Sequence, residues 1–204
     1  MTSVAHREIE IKLRVADLAE IIARIRGLGG RPRGRVHEYN VLFDTPDSAI
    51  RESGCLLRLR TETPKASRLV PAGPRGAWVT WKAPAPPRRK GAASAFKERL
   101  ESEVAVGDPA AFRGQLLSLG LRPGFRYEKY RTTFTIPGVA LHLDLDETPV
   151  GTILELEGSP AAIRRIAGRL GFGVRDYLRM TYWELNAAEC RRKGIRAGNM
   201  VFGE

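Results

Sequence analysis

The chain has 204 residues, of which 43% are hydrophobic and 28% charged, as is usual for a globular protein with a buried core. Its 34 Lys and Arg against 23 Asp and Glu give a formal net charge of +11, which favours an anionic partner without choosing between nucleic acid, a membrane surface and a small polyphosphate. Two cysteines exclude a disulfide framework, no apolar run could span a membrane, and no secretory signal is recognisable. We therefore expect a cytoplasmic protein with no membrane partner.

The first predicted element is a strand at His6–Val15, in which charged and apolar residues alternate strictly. Glu8, Glu10 and Lys12 share one face and aliphatic residues fill the other, a period of two that is typical of a β-strand with unlike faces. Carboxylates two residues apart on a strand lie about 6–7 Å apart on one surface. Such a face is either solvated or compensated by cations, so this strand alone does not decide its role.

Seven more strands are indicated by alternation and by turn residues. They span residues 37–43, 55–60, 78–82, 97–106, 126–136, 139–147 and 152–157. Capping residues and apolar periodicity predict five helices. These helices span residues 17–28, 47–53, 108–119, 160–170 and 176–192. Two stretches rich in Pro, Gly and basic residues, 63–76 and 83–95, are predicted to be mobile loops.

Charged residues recur on one face of most of these strands. The acids on the charged faces are Glu8, Glu10, Glu101, Glu103, Asp144, Asp146, Glu155 and Glu157. The bases on the same faces are Lys12, Arg14, Arg58, Arg60, Lys82, Lys97, Arg99, Lys129 and Arg131. Eight acids against nine bases nearly cancel if all of them point into one space.

Eight antiparallel strands can close into a barrel, which removes the sheet edges and encloses an interior. Amphipathic helices can cover the apolar strand faces from outside and leave the interior charged. Buried charges of both signs are costly unless they are paired or bind ions. Such an interior suits a multiply charged anion held by Lys and Arg, with Mg²⁺ or Mn²⁺ held by carboxylates. The predicted fold is therefore α+β, an eight-stranded antiparallel β-barrel with helices packed outside.

An ordered set of motifs carries a resemblance to a known family. The chain contains E-I-E-I-K at Glu8 to Lys12, then Y-N-V-L-F-D-T-P, L-L-R-L-R, T-W-K, R-L-E-S-E, Y-E-K-Y-R, L-D-L-D-E and L-E-L-E-G. In this order they resemble the CYTH family, the triphosphate tunnel metalloenzymes. That family includes class IV adenylate cyclases, thiamine triphosphatases and inorganic tripolyphosphatases. The resemblance implies one tunnel domain over residues 1–190, followed by a basic flexible tail at 191–204.

The resemblance also implies roles for the charged side chains. It places the triphosphate on Lys12, Arg58, Arg60, Lys82, Lys129 and Arg131. It places Mg²⁺ or Mn²⁺ on Glu8, Glu10, Glu155 and Glu157, with Asp144 or Asp146. Glu101 or Glu103 supports the metal site or its waters, so the expected catalytic set is Glu8, Glu10, Lys12, Glu101 and Glu103.

Three functions remain open at this point. The first is metal-dependent hydrolysis of inorganic tripolyphosphate, thiamine triphosphate or a nucleoside triphosphate, in which the bases clamp the anion. The second is a class IV adenylate cyclase, in which the 3′-hydroxyl of ATP attacks its own α-phosphorus. The third is a non-catalytic binder of polyphosphate or RNA 5′ ends. We favour hydrolysis because it requires only the polyphosphate clamp.

Other polar residues carry weaker signals. His6, His37 and His142 share no ligand spacing and are expected to have surface or core roles. The basic run at residues 88–90 is interpreted as a solvated loop. Because it has no interleaved aromatic residues, a nucleic-acid partner is not favoured. The oligomeric state is not predicted.

Overall fold

Eight antiparallel strands close into one barrel in this computed structural model, which describes residues 5–68, 70–86 and 94–203. The strands are β1 (His6–Val15), β2 (Arg31–Asp44), β3 (Leu56–Pro64), β4 (Gly76–Pro84), β5 (Lys97–Ala105), β6 (Arg122–Thr135), β7 (Leu141–Thr148) and β8 (Gly151–Gly158). Around the barrel they follow the order β1-β5-β4-β3-β2-β6-β7-β8, and β8 pairs with β1. The predicted eight-stranded antiparallel barrel is confirmed.

The described residues form five α-helices outside the barrel. They are α1 (Leu18–Gly27), α2 (Ala49–Glu52), α3 (Pro109–Ser118), α4 (Pro160–Arg169) and α5 (Tyr182–Lys193), with a 3₁₀ turn at Val174–Asp176 before α5. Asp17, Asp108 and Ser159 begin three of these helices because each side chain accepts a hydrogen bond from a free backbone N–H of the first turn.

The main hydrophobic core lies between the barrel and α1 and α4. Ile11 and Leu13 of β1 have no exposed surface and pack with Leu156 of β8 and Ile163 of α4. These residues occupy the apolar positions of the alternating strands, so the outer face of the sheet is buried and the charged face points into the barrel. The sequence pattern thus determines which side of the sheet carries the core.

The long pair β2–β6 differs from the prediction. Both strands span 14 residues, against the shorter predicted segments 37–43 and 126–136. Their register shifts between Pro32 and Gly34 and between Leu42 and Phe43. Such bulges let a long pair bend within a closed barrel, and they interrupt the alternation from which strand length is predicted.

The C-terminal region also differs from the prediction. The helix predicted at 176–192 begins at Tyr182, where Thr181 and Glu184 form a capping box. Leu178 is extended and pairs with Lys12 of β1. Within the predicted flexible tail, Met200 is buried and pairs with Tyr127 of β6. The division into a domain at 1–190 and a tail stays a prediction.

The two predicted loops at 63–76 and 83–95 are only partly confirmed as loops by the described residues. Parts of the predicted loops belong to strands, since β3 continues to Pro64 and β4 begins at Gly76. The basic run at residues 88–90 lies outside the described residues. Across residues 5–68, 70–86 and 94–203, no helix has both the length and the apolar character required to cross a membrane.

We expect Leu156→Ala to lower the free energy of unfolding by about 2–5 kcal/mol, because it leaves a cavity in the fully buried layer between barrel and helices. Leu119→Ala is the matched control, since Leu119 is 78% exposed, and it should change stability by less than about 0.5 kcal/mol. Urea denaturation of both variants measures the difference. Equal losses would contradict a core located outside the barrel.

Candidate active site

A cavity of about 400 Å³ lies inside the barrel and is lined mainly by ionisable side chains. Its bases are Lys12, Arg58, Arg60, Lys82, Lys97, Arg99, Lys129 and Arg131. Its acids are Glu8, Glu10, Glu101, Glu103, Asp144, Glu155 and Glu157. The alternating strands account for this lining, because every second residue of β1, β5, β6, β7 and β8 faces inward.

The structure brings together all but one of the side chains to which the resemblance assigns a role. The exception is Asp146, which has no exposed surface and is not part of the lining. Arg14, the other charged-face residue that is not in the lining, is exposed. The carboxylate of Asp146 accepts hydrogen bonds from Lys129 at 2.9 Å, Arg131 at 2.6 and 2.7 Å and the Tyr182 hydroxyl at 2.5 Å. Of the two aspartates predicted as alternative metal ligands, only Asp144 therefore faces the cavity. The roles assigned to the lining residues stay predictions.

One part of the cavity is dominated by Arg131. Its guanidinium forms ion pairs with Asp144 at 3.0 Å, with Asp146 and with Glu155. Burial disfavours its charge, but these carboxylates outweigh that effect and raise the pKa of Arg131 well above its usual value. A fixed, fully charged fork of this kind suits phosphate oxygens.

Another part of the cavity combines lysines with the glutamates of β1 and β5. Lys82 contacts Glu8 at 2.6 Å and Glu101 at 2.7 Å. Glu10 accepts hydrogen bonds from Lys12 at 3.0 Å and Lys97 at 2.9 Å. Burial would raise the pKa of Glu10, but the two lysines outweigh burial and hold it below its usual range. Glu10 is therefore ionised at neutral pH.

Glu157 has a strongly perturbed carboxyl group. Burial and, to a lesser extent, the neighbouring carboxylate of Glu8 together raise its pKa to about 8 despite the attraction of Lys82. Burial likewise raises the pKa of Glu8, and its Oε2 atom is buried without a hydrogen-bond partner. This group of carboxylates has a local excess of negative charge, which a cation would relieve.

The described carboxylates of the cavity offer donors for a divalent metal but no preformed site. Among the described residues, no three His, Cys, Asp or Glu side chains stand in an arrangement that could hold a metal ion. The Oε2 atom of Glu8, which has no hydrogen-bond partner, and the raised pKa of Glu157 nevertheless identify oxygen donors that are incompletely satisfied. Carboxylate donors match Mg²⁺ and Mn²⁺. The chemistry of the donors fits such a metal, although their arrangement is not preformed.

Several residues of the site were not predicted. Tyr182, the first residue of α5, is buried with its ring 4.7 Å from the Lys129 ammonium and 5.3 Å from that of Lys12. Glu38 of β2 is fully buried beside Lys129 and Arg131. Register supplies the missing signal for Glu38, since it stands directly opposite Lys129 in the β2–β6 pair. His6 and His142, expected to have surface or core roles, are exposed and also border the cavity.

A second cavity of about 440 Å³ adjoins the first. The two share Leu42, Leu56, Arg99, Thr181 and Trp183 as lining residues. Trp183 is 41% exposed and lies under the Arg51 guanidinium, 5.7 Å from it. Residues of α2 and the start of α5 thus form a partly aromatic space next to the charged one.

Comparison with known proteins gives a family match and a set of related folds. The family model described as CYTH domain matches residues 6–166. No curated relative matches the sequence. Among solved structures, the PH1012 protein of Pyrococcus horikoshii has a TM-score of 0.63 and 25% identity, covering 87% of this chain and 98% of that chain.

Two more distant structures share the fold. A candidate adenylate cyclase from Vibrio parahaemolyticus has a TM-score of 0.70 and 16% identity, covering 89% of this chain and 98% of that chain. A candidate adenylyl cyclase from Hippeastrum, described as having a dominant triphosphatase activity, has a TM-score of 0.57 and 17% identity. It covers 93% of this chain and 97% of that chain. At these identities the likeness establishes the architecture.

Glu157→Gln should stabilise the metal-free protein increasingly as the pH rises from about 4.5 to about 8. A carboxyl whose pKa is higher in the folded state loses its stabilising protonation over that window, and Gln does not titrate. The gain at pH 8 should be on the order of 2 kcal/mol. Denaturation in EDTA across this pH range measures it, with the exposed Glu20→Gln as control. A parallel pH dependence of wild type and Glu157→Gln would refute the assignment.

Proposed function

The chain belongs to the CYTH family, and on that premise we propose that it hydrolyses a triphosphate in the charged cavity with a divalent metal as cofactor. The observation that carries the proposal is the lining itself, which places eight bases and seven acids around about 400 Å³. A binding site for an anion alone needs the bases but gains nothing from so many carboxylates. The acids argue against the non-catalytic binder.

The bases would hold the phosphate chain. Arg58, Arg60 and Arg131 offer planar forks that match phosphate oxygens, while Lys12, Lys82 and Lys129 supply point charges. Arg58 is already oriented, since it donates to the Tyr127 hydroxyl at 3.2 Å and to Thr80 at 3.0 Å. Such preorganisation lowers the entropic cost of holding a flexible anion.

The carboxylates would hold the metal. The proposed ligands are Glu8, Glu10, Glu155 and Glu157, with Asp144 in preference to Asp146 because Asp144 lines the cavity and Asp146 does not. Glu101 and Glu103 would support this group. Bound Mg²⁺ or Mn²⁺ would neutralise charge on the phosphate oxygens and lower the pKa of a coordinated water.

In the proposed reaction a water oxygen bonds to the terminal phosphorus. The bond from that phosphorus to the bridging oxygen breaks, which releases inorganic phosphate and a diphosphate. The bases stabilise the charge that develops on the bridging oxygen of the leaving diphosphate. A loose transition state of this kind depends on positioning and charge more than on a protein base.

The second cavity favours a substrate with an organic group. Its position next to the charged lining and its exposed Trp183 suit an aromatic ring attached to the triphosphate. This supports thiamine triphosphate or a nucleoside triphosphate over inorganic tripolyphosphate. It also keeps the class IV adenylate cyclase as the second candidate, since ATP would place its adenosine there.

A product assay separates these candidates. Purified protein is incubated with tripolyphosphate, thiamine triphosphate or ATP, each with Mg²⁺ or Mn²⁺, and the products are separated. Phosphate release supports the triphosphatase, whereas pyrophosphate with cyclic AMP supports the cyclase. Absence of turnover with EDTA-insensitive polyphosphate binding would replace both with the binding protein.

Glu10→Gln should reduce kcat by on the order of 100-fold, because it removes an ionised candidate metal ligand. Binding of tripolyphosphate in EDTA should not weaken, since the six candidate phosphate-binding bases remain and a negative charge beside Lys12 and Lys97 is removed. Steady-state kinetics and titration calorimetry measure the two effects. Glu20→Gln, an exposed change of equal charge, is the control, and equal kcat in both variants would count against the metal role.

Trp183→Ala should raise KM for thiamine triphosphate or ATP by about 5- to 100-fold, the range expected when a stacked ring loses its aromatic partner. KM for tripolyphosphate should stay unchanged. Trp81→Ala, which removes another exposed indole, serves as the control. A uniform rise for all substrates would indicate damage to the cavity instead of a lost contact with the organic group.

A further inference from the structure

Glu38 occupies an unusual position behind the bases of the cavity. It has no exposed surface and does not belong to the cavity lining. Its carboxylate nevertheless faces three of the lining bases, with Lys129 at 3.4 Å, Arg131 at 3.4 Å and Arg60 at 3.8 Å. Glu38 is thus a buried negative charge that a ligand in the cavity cannot contact directly.

Glu38 faces the bases at ion-pair distances and does not hold them by short hydrogen bonds. Asp146, buried to the same degree, accepts hydrogen bonds of 2.5–2.9 Å from Lys129, Arg131 and Tyr182. Glu38 accepts only the amide of Asn40, at 3.4 Å, among the described residues, and its Oε1 atom has no hydrogen-bond partner. Its influence on the bases is therefore mainly coulombic.

The charge of Glu38 is retained in the fold. Burial would raise its pKa, but Lys129, Arg131, Arg60 and Arg58 outweigh burial and lower it below the usual range for a glutamate. These four cations are the same ones proposed to bind phosphate. An anion that enters the cavity therefore meets bases whose positive charge is already partly compensated.

We propose that Glu38 is a positioning residue that acts through Lys129, Arg131 and Arg60 as a built-in competitor of the substrate, limiting how tightly the cavity holds triphosphate and its anionic products. This inference rests on the proposed function, because it assigns the regulation of affinity in that same cavity. Coulomb repulsion between Glu38 and a bound phosphate chain is substantial in a poorly solvated interior. Release of product anions is eased by the same repulsion.

Glu38→Gln tests the proposal because it keeps the shape and removes the charge. Tripolyphosphate in EDTA should bind about tenfold tighter to this variant than to wild type. In turnover assays KM and kcat should fall together, since the substrate and the product anions are both held more firmly. A purely structural role would weaken binding and raise KM. Glu147→Gln is the control, because it removes an equal charge from the Arg35 pair on another surface, and its Kd should change by less than about twofold.

The outcomes separate this inference from the proposed function. If wild type binds tripolyphosphate and Glu38→Gln binds it equally or more weakly, the inference is overturned and the proposed function stands. If wild type neither binds nor turns over any triphosphate, both are overturned. Should Glu38→Gln fail to fold, Glu38→Asp provides the test, because it withdraws the charge by one methylene group. That variant should bind tripolyphosphate about two- to threefold tighter, and unchanged or weaker binding would overturn the inference.

Discussion

Ion pairing inside the barrel is the constraint on which the rest of this structure depends. Every inward-facing charge that lacks water must find a partner of opposite sign, and Lys82, for instance, lies within 2.7 Å of both Glu8 and Glu101. Buried ion pairs add little to stability once desolvation is counted, whereas loss of one partner is costly. The paired interior therefore contributes little to folding, which agrees with the proposed use of the cavity for charged ligands.

A charged interior moves the hydrophobic core to the outside of the sheet. Ile11, Leu154 and Leu156 point away from the barrel axis and are covered by α1 and α4, where Ile25 and Ile163 have no exposed surface. Burial of these side chains supplies the main favourable free energy of folding. The inner face of the barrel is then left for the proposed chemistry, because the core uses the opposite face of the same strands.

Much of this arrangement was predictable, because alternation along a strand shows directly which residues lie on the same face of the sheet. The unbroken alternation of β1 and β8 identified Glu8, Glu10, Glu155 and Glu157 as one inner surface. Glu38 was not predicted as a site residue, because the inward-facing residues that follow it on β2 are an amide and an apolar residue. Only the register of β2 with β6 shows its cationic partners. Pairing between strands that are distant in sequence has no local signature.

The beginning of α5 was predicted six residues early for a related reason. The residues after Asp176 continue an apolar pattern, but Leu178 joins the edge of β1 instead of a helical turn. Tertiary pairing therefore outweighed local propensity. The capping box of Thr181 and Glu184 then determines where the helix begins.

This edge pairing means that α5 is fastened at both of its ends. Before the helix, Leu178 exchanges two backbone hydrogen bonds with Lys12, of 2.9 and 3.0 Å. After it, Met200 bonds to Glu128 and Arg126 of β6 at 2.8 and 2.9 Å. Lifting the whole segment from Leu178 to Met200 off the barrel would break all four bonds and withdraw Tyr182 from Asp146. We therefore expect α5 to be a fixed wall, with its anchoring amides among the slowly exchanging hydrogens of the barrel and not among those of a mobile lid.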